Sequence, residues 1–185
     1  MRIVAGRFRG RAITSPEHQG VRPTSDRVRE SMFNILAHGI DDFELAGARV
    51  IDLFAGTGAL GLEALSRGAS YGLFVEDDAD SRGLIRANVE AFGLTGETRI
   101  FRRDATSLGL IGTIAPFNLA FLDPPYGKGL AERALTSLRD GHWLVSGAVV
   151  VVEEAATSEV SWPAGYSSLE TRSYGGTTVH FGRRN

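Results

Sequence analysis

The sequence predicts a Rossmann-like α/β fold, in which a mostly parallel, doubly wound sheet of seven strands ends in a C-terminal antiparallel hairpin. Three observations carry this prediction. From residue 48 onward, apolar runs of strand length alternate with amphipathic stretches of helical length. The first apolar run leads directly into the glycine-rich turn Gly56–Gly61, and two further runs flank Gly175-Gly176 near the end. Alternating strands and helices form parallel sheets, whereas two runs joined by a glycine pair form a hairpin.

Each element follows from its own residues, taken in chain order. The parallel strands are expected where apolar residues are contiguous, at 48–54, 70–76, 98–104, 116–123 and 148–154. The helices between them are expected at 58–68, 78–93 and 130–141, where apolar residues recur at helical spacing. The closing hairpin is expected within 166–184.

An arginine-rich extension, residues 1–40, precedes the body of the fold at 41–185. Its first 30 residues carry seven arginines against three acids, which gives +4; because the whole chain carries -2, the remainder carries -6. This asymmetry indicates an arm that binds a polyanion. We predict a β-hairpin that presents Arg7, Arg9 and Arg11 on one strand face, and then a helix capped by Thr24 or Ser25.

Composition limits the classes of protein that remain. The 185 residues suffice for about one domain with a sizeable core, and they include no cysteine, which excludes disulfides and thiolate chemistry. The start has no apolar signal-peptide core, and no apolar run approaches the roughly 20 residues of a membrane span. The four histidines lack metal-ligand spacing. We expect a soluble, cytoplasmic protein that works as a monomer without a metal.

Acids follow the strands around the glycine-rich turn. Gly56 and Gly58 let the backbone approach a ligand, and Glu76 can accept hydrogen bonds from a ribose diol. This pattern also fits a dinucleotide such as NAD. Asp52, inside the first strand, can meet an ammonium group, and Asp104, after the third, can accept from an adenine amine. S-adenosylmethionine carries all three groups, so we predict it as the cofactor.

The motif Asp123-Pro124-Pro125-Tyr126 ends the fourth predicted strand beside the same crevice. The two prolines form a rigid ledge, so the Asp123 carboxylate and the Pro124 carbonyl can point at one place. Two acceptors suit the exocyclic NH2 group of a nucleobase, whose lone pair they help to localise toward an electrophilic methyl. Tyr126 can stack on the base. The motif therefore predicts methylation of a base amine.

These motifs resemble a known family. DPPY together with DLFAGTGALGLEAL is similar to the class I, S-adenosylmethionine-dependent amino-methyltransferases. The run RPTSDRVRESMFNIL is similar to the signature of the bacterial RsmD-like enzymes, which methylate a guanine N2 in small-subunit (16S) ribosomal RNA. The resemblance covers about residues 2–182. It implies a class I methyltransferase domain at 41–185 and an extension at 1–40 that serves as a lid on the RNA and cofactor site. The partner it implies is this RNA or a 30S assembly particle.

The resemblance also assigns roles to individual residues. It places the target base on the four residues of the DPPY motif. It places the cofactor on a set of residues around the glycine-rich turn and the acids: Asp52, Phe54, Ala55, Gly56, Gly58, Glu76, Asp104 and Ala105. Arg22, Thr24 and Arg27 are expected to line the mouth of the cofactor pocket or the RNA path, Arg22 and Thr24 on the cofactor side and Arg27 on the RNA side.

Three other functions stay open at this point. An enzyme of the same chemistry could act on an adenine or cytosine amine of DNA or another RNA, since DPPY fits all exocyclic amines. An NAD-linked oxidoreductase would explain the glycine pattern but not DPPY. A nucleic-acid-binding module with an inactive site would leave the complete set of acids unexplained.

Overall fold

The computed structural model describes residues 1–16 and 24–185, which form one sheet of seven strands with helices on both faces. The helices are α1 (Asp26–His38), α2 (Ala59–Ser66), α3 (Ala79–Ala91) and α4 (Leu130–Asp140), and a 3-10 turn spans Thr95–Glu97. The strands are β1 (Arg49–Leu53), β2 (Tyr71–Val75), β3 (Thr98–Phe101), β4 (Phe117–Leu122), β5 (Leu144–Ala155), β6 (Tyr166–Tyr174) and β7 (Thr177–Arg184).

The sheet has the order β3-β2-β1-β4-β5-β7-β6. Strands β3, β2, β1, β4 and β5 are parallel to one another, and β7 pairs antiparallel with β5 and with β6. The predicted fold class, including the C-terminal hairpin, is therefore confirmed. The strand order reverses between β1 and β4, which places the crevice for ligands beside the carboxyl ends of these two strands.

Two apolar clusters cover the two faces of the sheet. Neighbouring strand residues alternate between them: Val50 and Leu119 belong to the cluster that includes α1, α2 and α3, whereas Ile51 and Ala120 belong to the cluster that includes α4. Because both faces are buried, each parallel strand consists of a nearly unbroken apolar run, as the sequence indicates. Both faces of the sheet are thus packed, up to the polar residues at the carboxyl ends of the parallel strands.

The N-terminal hairpin differs from the prediction. A single antiparallel bridge joins Arg2 to Ala12, and residues 6–10 form bends and turns rather than a strand. Gly6 and Gly10 have φ values of 84° and 82°, and the Arg7 N–H donates to the carbonyl of Ser66. The prediction that Arg7, Arg9 and Arg11 alternate along one strand face is wrong, because the turn begins at Gly6 and is held by α2.

Helix α1 confirms the predicted cap, with the Val28 N–H donating to the Ser25 hydroxyl at 3.2 Å. Its inner face carries Met32, Phe33 and Leu36, as the apolar spacing predicts, and also Arg29, whose side chain is completely buried.

Glu63 of α2 joins the extension to the body of the fold. Its two carboxylate oxygens accept from the N–H groups of Val4 and Ala5 at 2.9 and 3.0 Å, and it pairs with Arg67 at 2.8 Å and with Arg29 at 3.4 Å. A buried carboxylate with this many donors fixes the path of the first residues. The division of the chain into 1–40 and 41–185 stays a prediction.

Gly61 provides a test of how closely α2 approaches the sheet. A methyl group at this position would lie 2.4 Å from Cε1 of the buried Phe74 ring. Gly61→Ala is therefore expected to lower the free energy of unfolding by about 1–3 kcal/mol in urea titrations, the usual effect of overpacking.

The matched control is Gly83→Ala, on the exposed face of α3, where no atom lies within 4 Å of an added methyl. It should leave the free energy of unfolding unchanged or raise it by up to about 1 kcal/mol, because alanine favours helices. Equal effects of the two substitutions would contradict this description of the α2 packing.

Candidate active site

Five neighbouring parallel strands each bring an acid to the same edge of the sheet. In sheet order these are Asp104 after β3, Glu76 after β2, Asp52 in β1, Asp123 after β4 and Glu153 in β5. Leu122 is paired with Val152, so Asp123 and Glu153 follow at the same level. The structure therefore brings four of these acids to the crevice that the topology predicts, with Asp104 at its outer end.

Two of these acids shape the glycine-rich loop. The Gly56 N–H donates to Oε2 of Glu76 at 2.9 Å, and the Asp78 N–H donates to Oε1 at 3.0 Å. The Gly61 N–H donates to Oδ2 of Asp52 at 2.9 Å. Each carboxylate oxygen can accept a second hydrogen bond, so both acids keep capacity for a ligand.

Backbone conformation in this loop requires glycine at the predicted positions. Gly56 and Gly58 have φ values of 56° and 81°, in the left-handed region that other residues rarely adopt. Phe54 also has a positive φ, 57°, although it is not a glycine. A bulky residue in this conformation costs on the order of 1–3 kcal/mol, and such strain is concentrated at functional sites.

Burial raises the pKa of Asp52 and of Glu76. Burial raises the pKa of Asp52 to about 8, the hydrogen bond from Gly61 opposes this, and the nearby Glu76 adds to it. The pKa of Glu76 is raised in the same way by burial, against the hydrogen bonds from Asp78 and Gly56. Carboxyl groups in such surroundings favour a cationic or hydrogen-bond-donating partner.

A first cavity of about 300 Å³ lies above the loop. Its walls include Asp52, the predicted cofactor residues Phe54, Ala55, Gly56 and Thr24, and the motif acid Asp123. The N-terminal extension supplies the opposite wall, through Met1, Ser15, Pro16, Thr24 and Arg29. The extension and the glycine-rich loop therefore line the same cavity, and the role of the extension as a lid stays a prediction.

Asn88 of α3 holds the extension over the loop. Its amide accepts from the Thr14 N–H at 2.8 Å and donates to the carbonyls of Thr14 and Thr57, each at 3.0 Å. Asn88 is buried, so these bonds are made away from water and fix the distance between the two segments.

Arg29 is an unexpected member of the cavity wall. Its Nη2 donates to Asp26 at 2.9 Å and to the carbonyl of Arg2, while Nη1 has no hydrogen-bond partner within the described residues. A buried donor without a partner costs free energy, which a bound acceptor would recover. The guanidinium is nevertheless compensated in charge, because it also pairs with Asp26 and with Glu63 at 3.4 Å.

Asp104 and Ala105 lie farther out than the other predicted cofactor residues. Asp104 is exposed and accepts from the N–H and hydroxyl of Thr106 at 2.8 and 2.7 Å, which lower its pKa. Ala105 is buried beside it. Neither belongs to the walls of the first cavity, nor do Glu76 and Gly58. Strand β3 ends at Phe101, so two residues separate Asp104 from the end of the strand.

The DPPY motif forms the other side of the crevice. Asp123 is half-buried on the wall of the first cavity, Pro124 is buried, and Pro125 is exposed. The Tyr126 ring is 41% exposed, and its hydroxyl donates to Oε1 of Glu153 at 3.1 Å. It also lies 3.2 Å from the hydroxyl of Thr177. The sequence predicts the exposed ring but not these partners of the hydroxyl.

Like charges dominate the surroundings of Asp123. Burial raises the pKa of Asp123 well above its ordinary value, and Glu153, Asp52 and Glu154 raise it further, while the nearby Thr24 hydroxyl, which donates to Glu153, lowers it. Burial likewise raises the pKa of Glu153, against hydrogen bonds from Thr24 and Tyr126. The Asp123 carboxyl is therefore a strong acceptor for hydrogen bonds and protons.

Glu153 and Glu154 are residues of this site that the sequence prediction did not single out. Glu153 bonds both Thr24 and Tyr126, and Glu154 accepts from the Gly127 N–H at 3.0 Å, which anchors the end of the motif. The available signal was that the apolar run 148–152 ends in two acids, as the other strands end in one. Arg29 and Asn88 gave no such signal, because their positions on helices are those of ordinary surface residues.

The predicted RNA-binding arginines are dispersed. Arg7 pairs with Glu97 at 2.6 Å, and Arg11 lies over the Phe92 ring, with 4.4 Å to its centroid. Arg9 and Arg27 are exposed. Arg22, predicted to bind the cofactor, lies outside the described residues. The RNA-binding role of these residues stays a prediction.

Candidate metal sites and membrane-spanning helices are both absent from residues 1–16 and 24–185. In this part of the chain, no group of three or more His, Cys, Asp or Glu side chains has the arrangement of a metal site. The helices described there are all too short or too polar to cross a membrane.

Stability should depend on pH through Asp52. Its pKa rises from an ordinary 3.8 to about 8 on folding, so the folded protein binds this proton more tightly. The resulting stabilisation is present below the ordinary pKa and is lost as the pH rises through about 8. Asp52→Asn keeps an acceptor for Gly61 but has no proton to lose.

The free energy of unfolding of Asp52→Asn should therefore fall less between about pH 5 and about pH 9 than that of the wild type, as measured by urea titration. Because Asp52 interacts with Glu76 and Asp123, the difference between the two proteins measures the titration of Asp52 together with its coupling to these two acids. Identical pH dependence in the two proteins would show that Asp52 has no raised pKa.

The comparisons with known proteins agree with this geometry. A family model described as "Conserved hypothetical protein 95" matches residues 1–183. The "Ribosomal RNA small subunit methyltransferase D" of Escherichia coli (strain K12) is 42% identical over 172 residues, which cover 90% of this chain and 81% of that protein. The Haemophilus influenzae protein of the same name is 33% identical, with 95% and 89% covered. The solved structure of the Escherichia coli protein yhhF superposes with a TM-score of 0.84 at 34% identity, over 100% of this chain and 98% of that one. These matches confirm the predicted resemblance. The family described as "Conserved hypothetical protein 95" is the RsmD family of methyltransferases, and the chain belongs to it.

Proposed function

We propose that this protein transfers a methyl group from S-adenosylmethionine to the exocyclic N2 amine of a guanine in small-subunit ribosomal RNA. The observation that carries the proposal is the position of Asp123 and Pro124. Asp123 lies on the wall of a cavity bounded by a strained glycine loop, and Pro124, whose carbonyl is the predicted second acceptor, follows it directly. The names of the relatives support ribosomal RNA as the substrate.

The residues of the first cavity fit this cofactor. Its amino acid end carries an ammonium, and the wall offers the buried carboxyl of Asp52 as a partner for this group. Gly56 and Gly58 keep side chains away from the loop, and Glu76 offers its remaining acceptor capacity to a ribose. Asp104 and Ala105 would meet the adenine at the outer end. When bound, the sulfonium of this cofactor supplies an electrophilic methyl group.

The residues of the chain position the amine and accept its proton. Asp123 and the Pro124 carbonyl accept hydrogen bonds from the NH2 group, which turns the nitrogen lone pair toward the first cavity. Asp123 also suits the proton that the amine must lose, because its raised pKa makes it a better base than an exposed carboxylate. The Tyr126 ring, held by its hydroxyl, presents a face on which a splayed base can stack. Orientation of this kind supplies much of the rate of methyl transfer.

Two alternative functions fit the observations less well. An NAD-linked oxidoreductase leaves the DPPY ledge without a role. An enzyme for adenine or cytosine amines of DNA would use the same ledge, and the names of the relatives argue for small-subunit ribosomal RNA as the substrate instead.

The partners and setting follow from this function. The substrate is the RNA itself or a 30S assembly particle, which a cytoplasmic, monomeric enzyme could reach. The exposed Arg9 and Arg27 suit contacts with RNA phosphates, with Arg7 and Arg11 contributing charge from their positions against Glu97 and Phe92.

The proposal is tested with small subunits from a bacterial strain that lacks the corresponding methyltransferase. The purified protein and S-adenosylmethionine are added, and the RNA is digested and analysed by mass spectrometry. The expected product is N2-methylguanosine at one nucleotide. Methylated adenine or cytosine, or no methylated nucleoside at all, would overturn the proposal.

Glu76→Ala should weaken binding of S-adenosylhomocysteine by about 1.5–3 kcal/mol in calorimetric titrations, the range for hydrogen bonds to charged groups. The substitution removes the acceptor for the ribose and also releases the Gly56 N–H. Glu90→Ala, at an exposed position of α3, is the control and should bind as the wild type does. Unchanged affinity of a folded Glu76→Ala protein would remove Glu76 from the cofactor site.

Asp123→Asn should bind S-adenosylhomocysteine normally and lose methyl transfer by at least about 100-fold, because the amide is a poor proton acceptor. Tyr126→Ala should lose more activity than Tyr126→Phe, which keeps the ring and loses the hydrogen bond to Glu153. Single-turnover rates measure both effects. An Asp123→Asn enzyme of normal rate, or a Phe variant as inactive as the Ala variant, would contradict the assigned roles.

A further inference from the structure

A second cavity, of about 370 Å³, lies beside the first. It is enclosed by the start of α1, the end of β5 and the turn between β6 and β7. The residues on its walls are Thr24, Ser25, Arg27, Val28, Glu153, Ser173, Tyr174, Gly175 and Thr177. Thr24 belongs to the walls of both cavities, so the two spaces meet at this residue.

Glu153 is the one acid among these wall residues, and it is 4% exposed. Its Oε2 accepts from the Thr24 hydroxyl at 2.5 Å, and its Oε1 accepts from the Tyr126 hydroxyl at 3.1 Å. A carboxylate has about four acceptor positions, so two remain for a ligand. The two hydroxyls fix the carboxylate plane, and Glu153 thereby becomes a preorganised acceptor at the inner wall of the second cavity.

The position of Glu153 relative to Asp123 is set by the sheet. Leu122 and Val152 are paired across the parallel strands β4 and β5, and the two acids are the next residues of each strand. Tyr126 connects the motif that begins with Asp123 to Glu153. A base whose amine lies at Asp123 would therefore have its neighbouring ring edge at Glu153.

The bases differ in what they present next to the amine. In guanine, the N2 amine is adjacent to N1–H, so two donors lie side by side. In adenine the N6 amine is adjacent to the N1 lone pair, and in cytosine the N4 amine is adjacent to the N3 lone pair. A carboxylate, which accepts and does not donate, pairs with the guanine edge and repels the other two.

We propose that the second cavity receives the target nucleotide and that Glu153 selects guanine by accepting a hydrogen bond from N1–H while Asp123 and Pro124 hold N2. This inference rests on the proposed methyl transfer and adds the residue that chooses the base. Arg27 lies at the exposed side of the same cavity, where it suits the phosphate of the nucleotide. The hydroxyls of Ser173 and Thr177 offer adaptable partners for the rest of the base edge.

The test compares guanine with 2-aminopurine at the nucleotide that the wild-type protein methylates. The analogue keeps the reacting amine but carries a lone pair at N1. Small subunits are reconstituted with 16S RNA in which a ligated synthetic fragment carries either base at this nucleotide. The wild type should methylate guanine with a kcat/KM at least about tenfold higher, because a buried acceptor facing a lone pair is strongly unfavourable.

Glu153→Gln provides the variant, because an amide can donate to N1 as well as accept. Its transfer to guanine should fall at least about tenfold, and its preference for guanine over 2-aminopurine should disappear or reverse. The matched control is Glu154→Gln, the same change at the next residue, which bonds the Gly127 and Ala155 N–H groups and is not on the wall of the second cavity. It should keep the wild-type preference, whatever its absolute rate.

The outcomes separate this inference from the proposed function. Binding of S-adenosylhomocysteine at wild-type affinity establishes that Glu153→Gln is folded. Equal rates of the wild type on the two bases, or a full wild-type preference in folded Glu153→Gln, would overturn the role of Glu153 while leaving guanine methylation in place. If Glu153→Gln did not fold, Glu153→Asp, which keeps a carboxylate, should retain the preference for guanine, and its loss would overturn the inference. A wild type that methylates no guanine would overturn the proposed function and this inference with it.

Discussion

The repulsion among carboxyl groups at one edge of the sheet is the constraint on which the site depends. Asp52, Asp123 and Glu153 follow one another on the neighbouring strands β1, β4 and β5, and burial raises the pKa of each. A folded protein tolerates such a cluster when the groups are protonated or when ligands supply donors and cations. An ammonium at Asp52 and a base amine at Asp123 are ligands of this kind. The buried carboxyl groups lower the free energy of unfolding, and ligand binding recovers this loss. Stability, pH and substrate affinity are therefore coupled.

The N-terminal extension contributes walls to the site at this edge. Glu63 and Asn88 fix its first residues against α2 and α3, and Thr24 and Arg29 line the first cavity together with the glycine loop. Thr24 then divides the space above the sheet into two cavities and bonds the acid at the wall of the second. The extension is therefore part of both cavities, and its basic character is a separate property that concerns the RNA.

The sequence predicts the parts of this structure that have local causes. Unbroken apolar runs mark the parallel strands, glycine at positions of positive φ marks the loop, and an acid directly after a strand must lie at the carboxyl edge. Asp52, Glu76 and Asp123 were predicted on this basis, and the structure places them together. The order of the strands decides which acids become neighbours, and only tertiary structure shows that Glu153 lies beside Asp123.

The features that the sequence does not predict depend on contacts between segments that are far apart in the chain. The alternation of Arg7, Arg9 and Arg11 fits a strand, but the hydrogen bond between the Arg7 N–H and Ser66 makes this segment a turn on α2. Arg29 looks like a surface residue of an amphipathic helix until Glu63 is placed against it. The position of Asp104 depends on where β3 stops pairing with β2. The residues of β3 do not themselves specify this point.

The central claim is that one edge of the sheet brings the cofactor and the target amine together at Asp123. A crystal structure of the protein with S-adenosylhomocysteine tests it most directly. We expect the ligand in the first cavity, with its ammonium at Asp52 and its sulfur facing Asp123 and the second cavity. A ligand whose sulfur faces away from Asp123, or one bound between α4 and the segment after β3, would contradict it.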